Sequence, residues 1–352
     1  MEGMNLKTNA GKVGILTGGG DCPGMNAVIR AIVRKGIQNY NYAVMGIRNG
    51  WKGLLDQDFC NLDPNSISGI LNKGGTILGT SRTNPGKIPK GYEKARKNLN
   101  KLSLTSLIAI GGDDTLGVAY RLYKMGCPIV GVPKTIDNDL YATDLTFGFD
   151  TAINVVMEAI DRLHSTAESH HRVLIVEVMG RNTGWIAVYG GIAGGADAIL
   201  IPEEPFDIDD VCCMIRKRQS RGKNFSIVVV AEGAIPKQIG KAVAADEMDE
   251  FGHARFGGVG SYLAREIEKK TGLETRATIL GHIQRGGEPT AFDRVLGTRF
   301  GVAAIDLVAK KKFGYMVSLK GNRIVPVPLK KAVSRLKTVD REIYEISKIF
   351  SG

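Results

Sequence analysis

Short apolar runs recur along this chain, and each stops abruptly at glycine or polar turn residues. In the first part they cover residues 12–17, 42–47, 107–110 and 129–132, and further on residues 172–179, 198–201 and 227–231. Runs of this length, closed by turn formers, predict buried strands. Residues 25–37 and 147–165 instead carry apolar positions at helical spacing, which predicts helices between the strands. Strand and helix in alternation predict an α/β protein of two lobes, each a mainly parallel sheet flanked by helices. We place the first lobe at residues 1–147, with a later segment of about 281–311 returning to it, and the second at 148–280. Residues 312–352 form a C-terminal segment, with a strand pattern at 323–327 and an amphipathic helical pattern at 339–349, expected to serve packing or subunit contact. The charged, irregular stretch 236–258 predicts a loop or small insertion.

Residues 107–139 read LIAIGGDDTLGVAYRLYKMGCPIVGVPKTIDND, which is strand, loop, helix, strand, loop. In an open parallel sheet the loops leaving neighbouring strands at their carboxyl ends converge. Gly111-Gly112-Asp113-Asp114-Thr115 is therefore expected to face Pro133-Lys134-Thr135-Ile136-Asp137-Asn138-Asp139, bringing four carboxylates and a lysine together. Such a cluster suits phosphoryl transfer. Glycines let backbone N–H groups approach phosphate oxygens, one carboxylate can hold Mg²⁺, and another can take a proton from an attacking hydroxyl. Asp113 is the metal candidate and Asp137 the base candidate. A GGD after a strand is by itself more often a tight turn with a helix cap, and a helix beginning near Thr115 with Asp114 as its cap is the competing local reading.

Other loops carry related chemistry. Gly18-Gly19-Gly20-Asp21-Cys22-Pro23-Gly24 follows the first strand and precedes a helix, an arrangement that forms an anion site at a helix N-terminus. It matches neither G-x-x-x-x-G-K-[ST] nor G-x-G-x-x-G. Arg82, in a glycine- and hydroxyl-rich loop at residues 74–85, is equally a ligand for a diphosphate or a surface arginine. His282 lies between glycine turns beside Arg285, a setting suited to a sugar phosphate. His164, His170 and His171 have no HExxH spacing and no partners for zinc, and read as polar or packing residues.

Composition narrows the partners. At 352 residues with 43% hydrophobic residues, the chain can bury a large core, which excludes a disordered or fibrous protein. Forty-seven Lys and Arg against 36 Asp and Glu give a net charge of +11, suited to anionic ligands. No basic run is dense enough for a nucleic-acid arm, so no nucleic-acid partner is expected. The five cysteines show no C-x-x-C spacing and read as reduced packing residues. With no apolar h-region in residues 1–11 and no membrane-length apolar stretch, a soluble cytoplasmic protein is expected.

The loops GGDDT and PKTIDND, with TGGGDCPGMN, VEVMGR and ETRATILGHIQRGG, together resemble the phosphofructokinase family, in register over residues 13–306. Other kinases with a GGD loop, of the NAD-kinase or lipid-kinase kind, would leave PKTIDND and GHIQRGG without a role. A non-catalytic sugar-phosphate sensor would have no need of Asp113, Asp137 and Arg181. The resemblance implies Mg²⁺-dependent phosphoryl transfer to the 1-hydroxyl of fructose 6-phosphate, with the first lobe binding the phosphoryl donor and the second the sugar phosphate. Asp137 is then the proton acceptor, Asp139 holds its loop and Thr135 contacts the transferred group. Gly20 lines the donor pocket. Fructose 6-phosphate falls to Thr135, Asp137, Met179, Gly180, Arg181, Glu232, His282 and Arg285, with Arg172 and Arg276 reaching in from a neighbouring subunit of a homodimer or homotetramer. Arg30, Arg34, Arg221 and Lys223 match effector-phosphate ligands of bacterial relatives, but Asp58 stands near where another arginine is expected, so weak or absent effector regulation is implied.

Two positions bear on the donor. ATP-using bacterial relatives have glycines where this chain has Asp114 and Lys134, although relatives with glycine and lysine there also use ATP. Asp114 would set a carboxylate where a nucleotide's α-phosphate lies. At ~4 Å and an effective dielectric of about 20 the repulsion is about 4 kcal/mol, well above the roughly 1.4 kcal/mol of a tenfold preference. Pyrophosphate is the expected donor and ATP the alternative.

Overall fold

The computed structural model describes residues 11–238 and 258–350. Most of the stretch 236–258 lies outside the described residues. The described chain forms two compact units.

The first unit holds residues up to 136, then 140–148 and 285–336. Its elements begin with β1 (Lys12–Thr17), α1 (Met25–Tyr40), β2 (Ala43–Ile47), α2 (Gly50–Asp56) and β3 (Phe59–Leu62). They continue with α3 (Gly91–Lys101), β4 (Ser106–Gly111), α4 (Asp113–Lys124) and β5 (Ile129–Pro133). In the second unit, residues 137–139, 149–284 and 337 onward, lie α5 (Phe149–His170), β6 (Val173–Val178), α6 (Trp185–Ala193) and β7 (Ala198–Leu200). There follow α7 (Ile208–Ser220), β8 (Ser226–Ala231), α8 (Val259–Thr271) and β9 (Thr275–Ile279). The first unit then regains α9 (Ala291–Ala309), β10 (Tyr315–Lys320), β11 (Arg323–Pro328) and α10 (Leu329–Ala332), and the second closes with α11 (Arg341–Ile349). The tail after Lys312 is thus divided between the units.

The first sheet runs β11-β10-β5-β4-β1-β2-β3, parallel in its centre with antiparallel pairs at both edges. Its central strands β4 and β5 are buried at every position, as expected of parallel strands covered on both faces. On one face α1 packs against α9, and Gly301 makes the approach possible: a Cβ there would lie 2.5 Å from the Val28 carbonyl oxygen. The other face is packed by Trp51 and Leu54 of α2, Leu99 of α3, and Val118 and Leu122 of α4.

The second sheet, β7-β8-β6-β9, is wholly parallel. Buried residues from α7 and α8, among them Val211, Ile215, Leu263 and Ile267, form one core with Val228 and Val230 of β8. In both sheets the sequence-expected α/β architecture is present. The strands at one edge of the second sheet, β9, and at both edges of the first are more exposed than the central strands.

Candidate active site

In the first unit, β5, β4 and β1 are neighbours in that order, so their outgoing loops share one end of the sheet. The glycine loop after β1 is fixed by backbone bonds: Gly18 N–H donates to Ile110 O at 2.9 Å and Gly19 N–H to Ser81 O at 3.3 Å. Thr80 Oγ1 donates in turn to Gly19 O at 2.5 Å, which places the segment carrying Arg82 beside this loop. Arg82 itself is exposed.

Lys134, only 3% exposed, sends its ammonium to the Gly20 carbonyl. Its backbone N–H donates to Gly111 O at 3.0 Å. The Arg285 guanidinium reaches the same loop, donating to Asp21 O at 3.2 Å, and a Cβ on Gly20 would lie 2.5 Å from it. Arg285, expected among the sugar-phosphate ligands, therefore lies over the glycine loop. Helix α1 begins only at Met25, beyond this loop, so the positive charge facing Gly20 comes from two side chains. Cys22 nearby is no nucleophile, because burial pushes its thiol up to about 12.

The helix expected near Thr115 begins two residues earlier. Asp113 and Asp114 occupy the first turn of α4, with Gly112 as its cap residue, so Asp114 is not the cap. Thr115 is buried, and its side chain fills the space that a Cβ on Gly18 would need, 2.7 Å from Oγ1. Two carboxylates at the positive end of a helix are favoured electrostatically. They also make this terminus a poor host for a bare phosphate. The donor set suits Mg²⁺, which takes one or two carboxylates and leaves its other positions to water and substrate phosphate. Asp113 is exposed and Asp114 partly so. Among the described residues no cluster of three or more His, Cys, Asp or Glu forms a closed metal cage.

Thr135, one residue before this part of the first unit ends, has its carbonyl accepting from Thr146 Oγ1 at 2.8 Å. Asp137, Asn138 and Asp139 then belong to the second unit. There the Asp137 carbonyl accepts from the buried Thr183 at 3.5 Å.

The second unit brings together the loops after β6, β8 and β9. Met179-Gly180-Arg181 follows β6, and Met179 N–H donates to Gln284 Oε1 at 3.2 Å. Gln284 is fully buried and escaped sequence reading, although it sits inside GHIQRGG beside the conspicuous His282. Gly180 has φ of 140° and Gly233 N–H donates to its carbonyl at 3.2 Å, which ties the loop after β6 to that after β8. Glu232 N–H is held by Val178 O at 2.8 Å. His282 is exposed, in a 3-10 turn over Gly281–Arg285. Arg172 and Arg276 converge on one carboxylate, Glu274, at 2.8 and 2.7 Å. Their hydrogen bonds and charge, led by that from Arg172, hold the Glu274 carboxyl below its usual range.

Of the effector-site candidates, Asp58 is engaged locally, accepting from Arg48 at 3.5 Å and Asn49 at 3.4 Å. Arg34, Arg221 and Lys223 are exposed and Arg30 partly so. No helix among the described residues is long and apolar enough to cross a membrane.

Burial, reinforced by the neighbouring Asp137 carboxylate, pushes Glu232 from its ordinary 4.5 up to about 7. The folded protein then keeps a proton that the unfolded chain releases, so the stability tied to neutral Glu232 is complete below pH 4.5 and is lost as pH rises through about 7. Glu232→Gln is expected to raise the melting temperature at pH 8, with the gain vanishing toward pH 4.5. Thermal melts of both proteins across this range test it, and an equal gain at every pH would contradict the assignment.

Comparison with known proteins identifies the family. The Phosphofructokinase family profile matches residues 12–308. A Streptomyces coelicolor protein named pyrophosphate--fructose 6-phosphate 1-phosphotransferase is 57% identical over 97% of this chain and all of its own. Another from the same organism, named ATP-dependent 6-phosphofructokinase 3, is 53% identical over 93% of this chain and 96% of its own. Among solved structures, Pichia pastoris phosphofructokinase superposes with a TM-score of 0.82 at 33% identity, covering 97% of this chain and 36% of the yeast chain. With the profile spanning most of the chain and both sets of loops built on its two sheets, this protein belongs to the phosphofructokinase family.

Proposed function

We propose that the chain transfers a phosphoryl group from pyrophosphate to the 1-hydroxyl of fructose 6-phosphate, giving fructose 1,6-bisphosphate and phosphate. The observation that carries the donor assignment is the pair of carboxylates, Asp113 and Asp114, in the first turn of α4, with the Lys134 ammonium at Gly20 in the same unit. Asp114 opposes a nucleotide's α-phosphate by volume and by charge, whereas pyrophosphate has no group to place there. Relatives named for pyrophosphate are slightly more similar than those named for ATP, 57% against 53%, and Asp114 supports the same reading.

The first unit serves the donor and the second the acceptor. Lys134, Gly20 and Arg82 hold pyrophosphate, the lysine as a point charge that stabilises the leaving phosphate. Arg285, placed at Gly20 and Asp21, adds a second cation to that loop. Arg181, His282 and the backbone of Met179 and Gly180 take the 6-phosphate and sugar, with Glu232 accepting from sugar hydroxyls. Asp137 removes the proton of the 1-hydroxyl as its oxygen bonds to the terminal phosphorus. The bond from that phosphorus to the bridging oxygen breaks, and the electron pair leaves with phosphate. Thr135 contacts the transferred group and Asp139 holds the loop. Mg²⁺, held through Asp113 with Asp114 beside it, would neutralise charge on the donor's oxygens when bound. Without the large free-energy drop of ATP cleavage, the reaction is readily reversible.

Arg172 and Arg276 belong to the same proposal as residues that complete the sugar-phosphate site of a neighbouring copy, in a homodimer or homotetramer. They meet at Glu274, at the start of the edge strand β9, with Ile279 and Ile283 exposed nearby in sequence, which supports that reading.

Loss of a general base typically costs about 10²–10⁴ in rate. Asp137→Ser is expected to lower kcat in that range with a much smaller change in KM for fructose 6-phosphate, and near wild-type turnover would refute its role. Asp114→Gly is expected to shift the ratio of ATP to pyrophosphate turnover by about tenfold or more toward ATP, equivalent to about 1.4 kcal/mol. Coupled assays with each donor measure this, and an unchanged ratio would mean that Asp114 does not exclude the nucleotide.

A further inference from the structure

The turn that carries Asp137 is held from the far end of the chain. Asn138 has φ of 50° and is buried, in the left-handed region that side-chain-bearing residues enter at a cost and Asn tolerates better than most. Such a turn needs support to keep one conformation. Lys337 supplies two bonds to it, its ammonium donating to Asn138 Oδ1 at 3.0 Å and its backbone N–H to Asp139 O at 2.8 Å.

Lys337 is itself fixed. Its ammonium lies 4.9 Å from the centre of the Trp185 ring, within reach of a cation–π attraction, and Trp185 Nε1 donates to the Lys337 carbonyl at 2.8 Å. Two residues on, Val339 N–H donates to Glu203 Oε1 at 3.0 Å, and the same carboxylate receives Gly184 N–H at 3.0 Å. Helix α11 then secures the segment: Asp340 caps its first turn and the buried Tyr344 hydroxyl donates to Ile199 O at 3.3 Å. Every group in this chain of contacts belongs to the second unit.

We propose that Lys337 is a positioning residue for Asp137. By bonding the side chain of Asn138 and the carbonyl of Asp139 it fixes the backbone to which the proton-accepting carboxylate is attached, while Thr183 donates to the Asp137 carbonyl. This rests on the reading of Asp137 as the proton acceptor. A misplacement of about 1 Å at a reacting group costs on the order of 10² in rate, so the brace acts on kcat rather than on substrate affinity.

Lys337→Met keeps an apolar stem over Trp185 and removes the ammonium. Its kcat with fructose 6-phosphate and pyrophosphate is expected to fall by about ten- to a hundredfold, with KM for fructose 6-phosphate little changed and Lys337→Arg recovering part of the loss. In the Asp137→Ser background the same substitution should cost little more, because the lysine acts through that carboxylate. Amide hydrogen exchange of Lys337→Met should quicken in a peptide spanning residues 135–141 and stay unchanged in β8. Wild-type kcat in Lys337→Met, or a loss that repeats in full in the Asp137→Ser background, would overturn the proposal, as would exchange that quickens equally in β8. Should the wild-type chain transfer no phosphoryl group from pyrophosphate, the proposed function fails by itself, and unchanged exchange at 135–141 would then sink the brace independently.

Discussion

Placing a lysine ammonium inside a loop of three glycines is the constraint on which the first unit depends. Lys134 is almost wholly buried and its charge meets the Gly20 carbonyl, and a buried charge persists only where polar groups or an opposite charge receive it. That placement needs β5 to stop beside Gly111, so that the Lys134 N–H can bond its carbonyl, and needs the loop after β1 to start level with Ile110. Glycine at 18 leaves the room that the Thr115 side chain takes. The hydrophobic runs that build the sheet therefore also aim the cation, because the register of three buried strands decides where their ends lie.

The carboxylates at the start of α4 set the other half of the electrostatics. A chain of net charge +11 attracts anions in general, yet this helix terminus presents two aspartates. At the glycine loop the positive charge comes from Lys134 and Arg285, with Arg82 on the neighbouring segment, opposite in sign to Asp113 and Asp114. A short, highly charged donor escorted by a divalent cation matches such a division better than a long nucleotide that must pass an additional carboxylate.

Much of this was legible from the residues alone because β1, β4, β5, β6 and β8 are mostly apolar runs closed by glycine or polar turns. Strands β9 and β10 were harder. Thr275–Ile279 alternates polar and apolar residues around Arg276, and Tyr315–Lys320 is interrupted by Ser318, so neither stood out from its surroundings. The start of α4 falls two residues before its expected place because an aspartate pair reads equally as cap or first turn. Asp113, Asp114, Lys134 and Asp137 were marked by dense local motifs. Gln284, Thr183 and Lys337 were not, since each acts through contacts with residues 46 to 199 positions away, and a single sequence holds no trace of such a pairing.

Donor choice joins the buried lysine, the acidic helix terminus and the family's chemistry in one observable. Purified wild-type chain given fructose 6-phosphate and Mg²⁺ with either pyrophosphate or ATP, followed by formation of fructose 1,6-bisphosphate, measures it directly. Turnover with pyrophosphate is expected to exceed that with ATP by about tenfold or more, the equivalent of about 1.4 kcal/mol, and faster turnover with ATP would contradict the role given to Asp114.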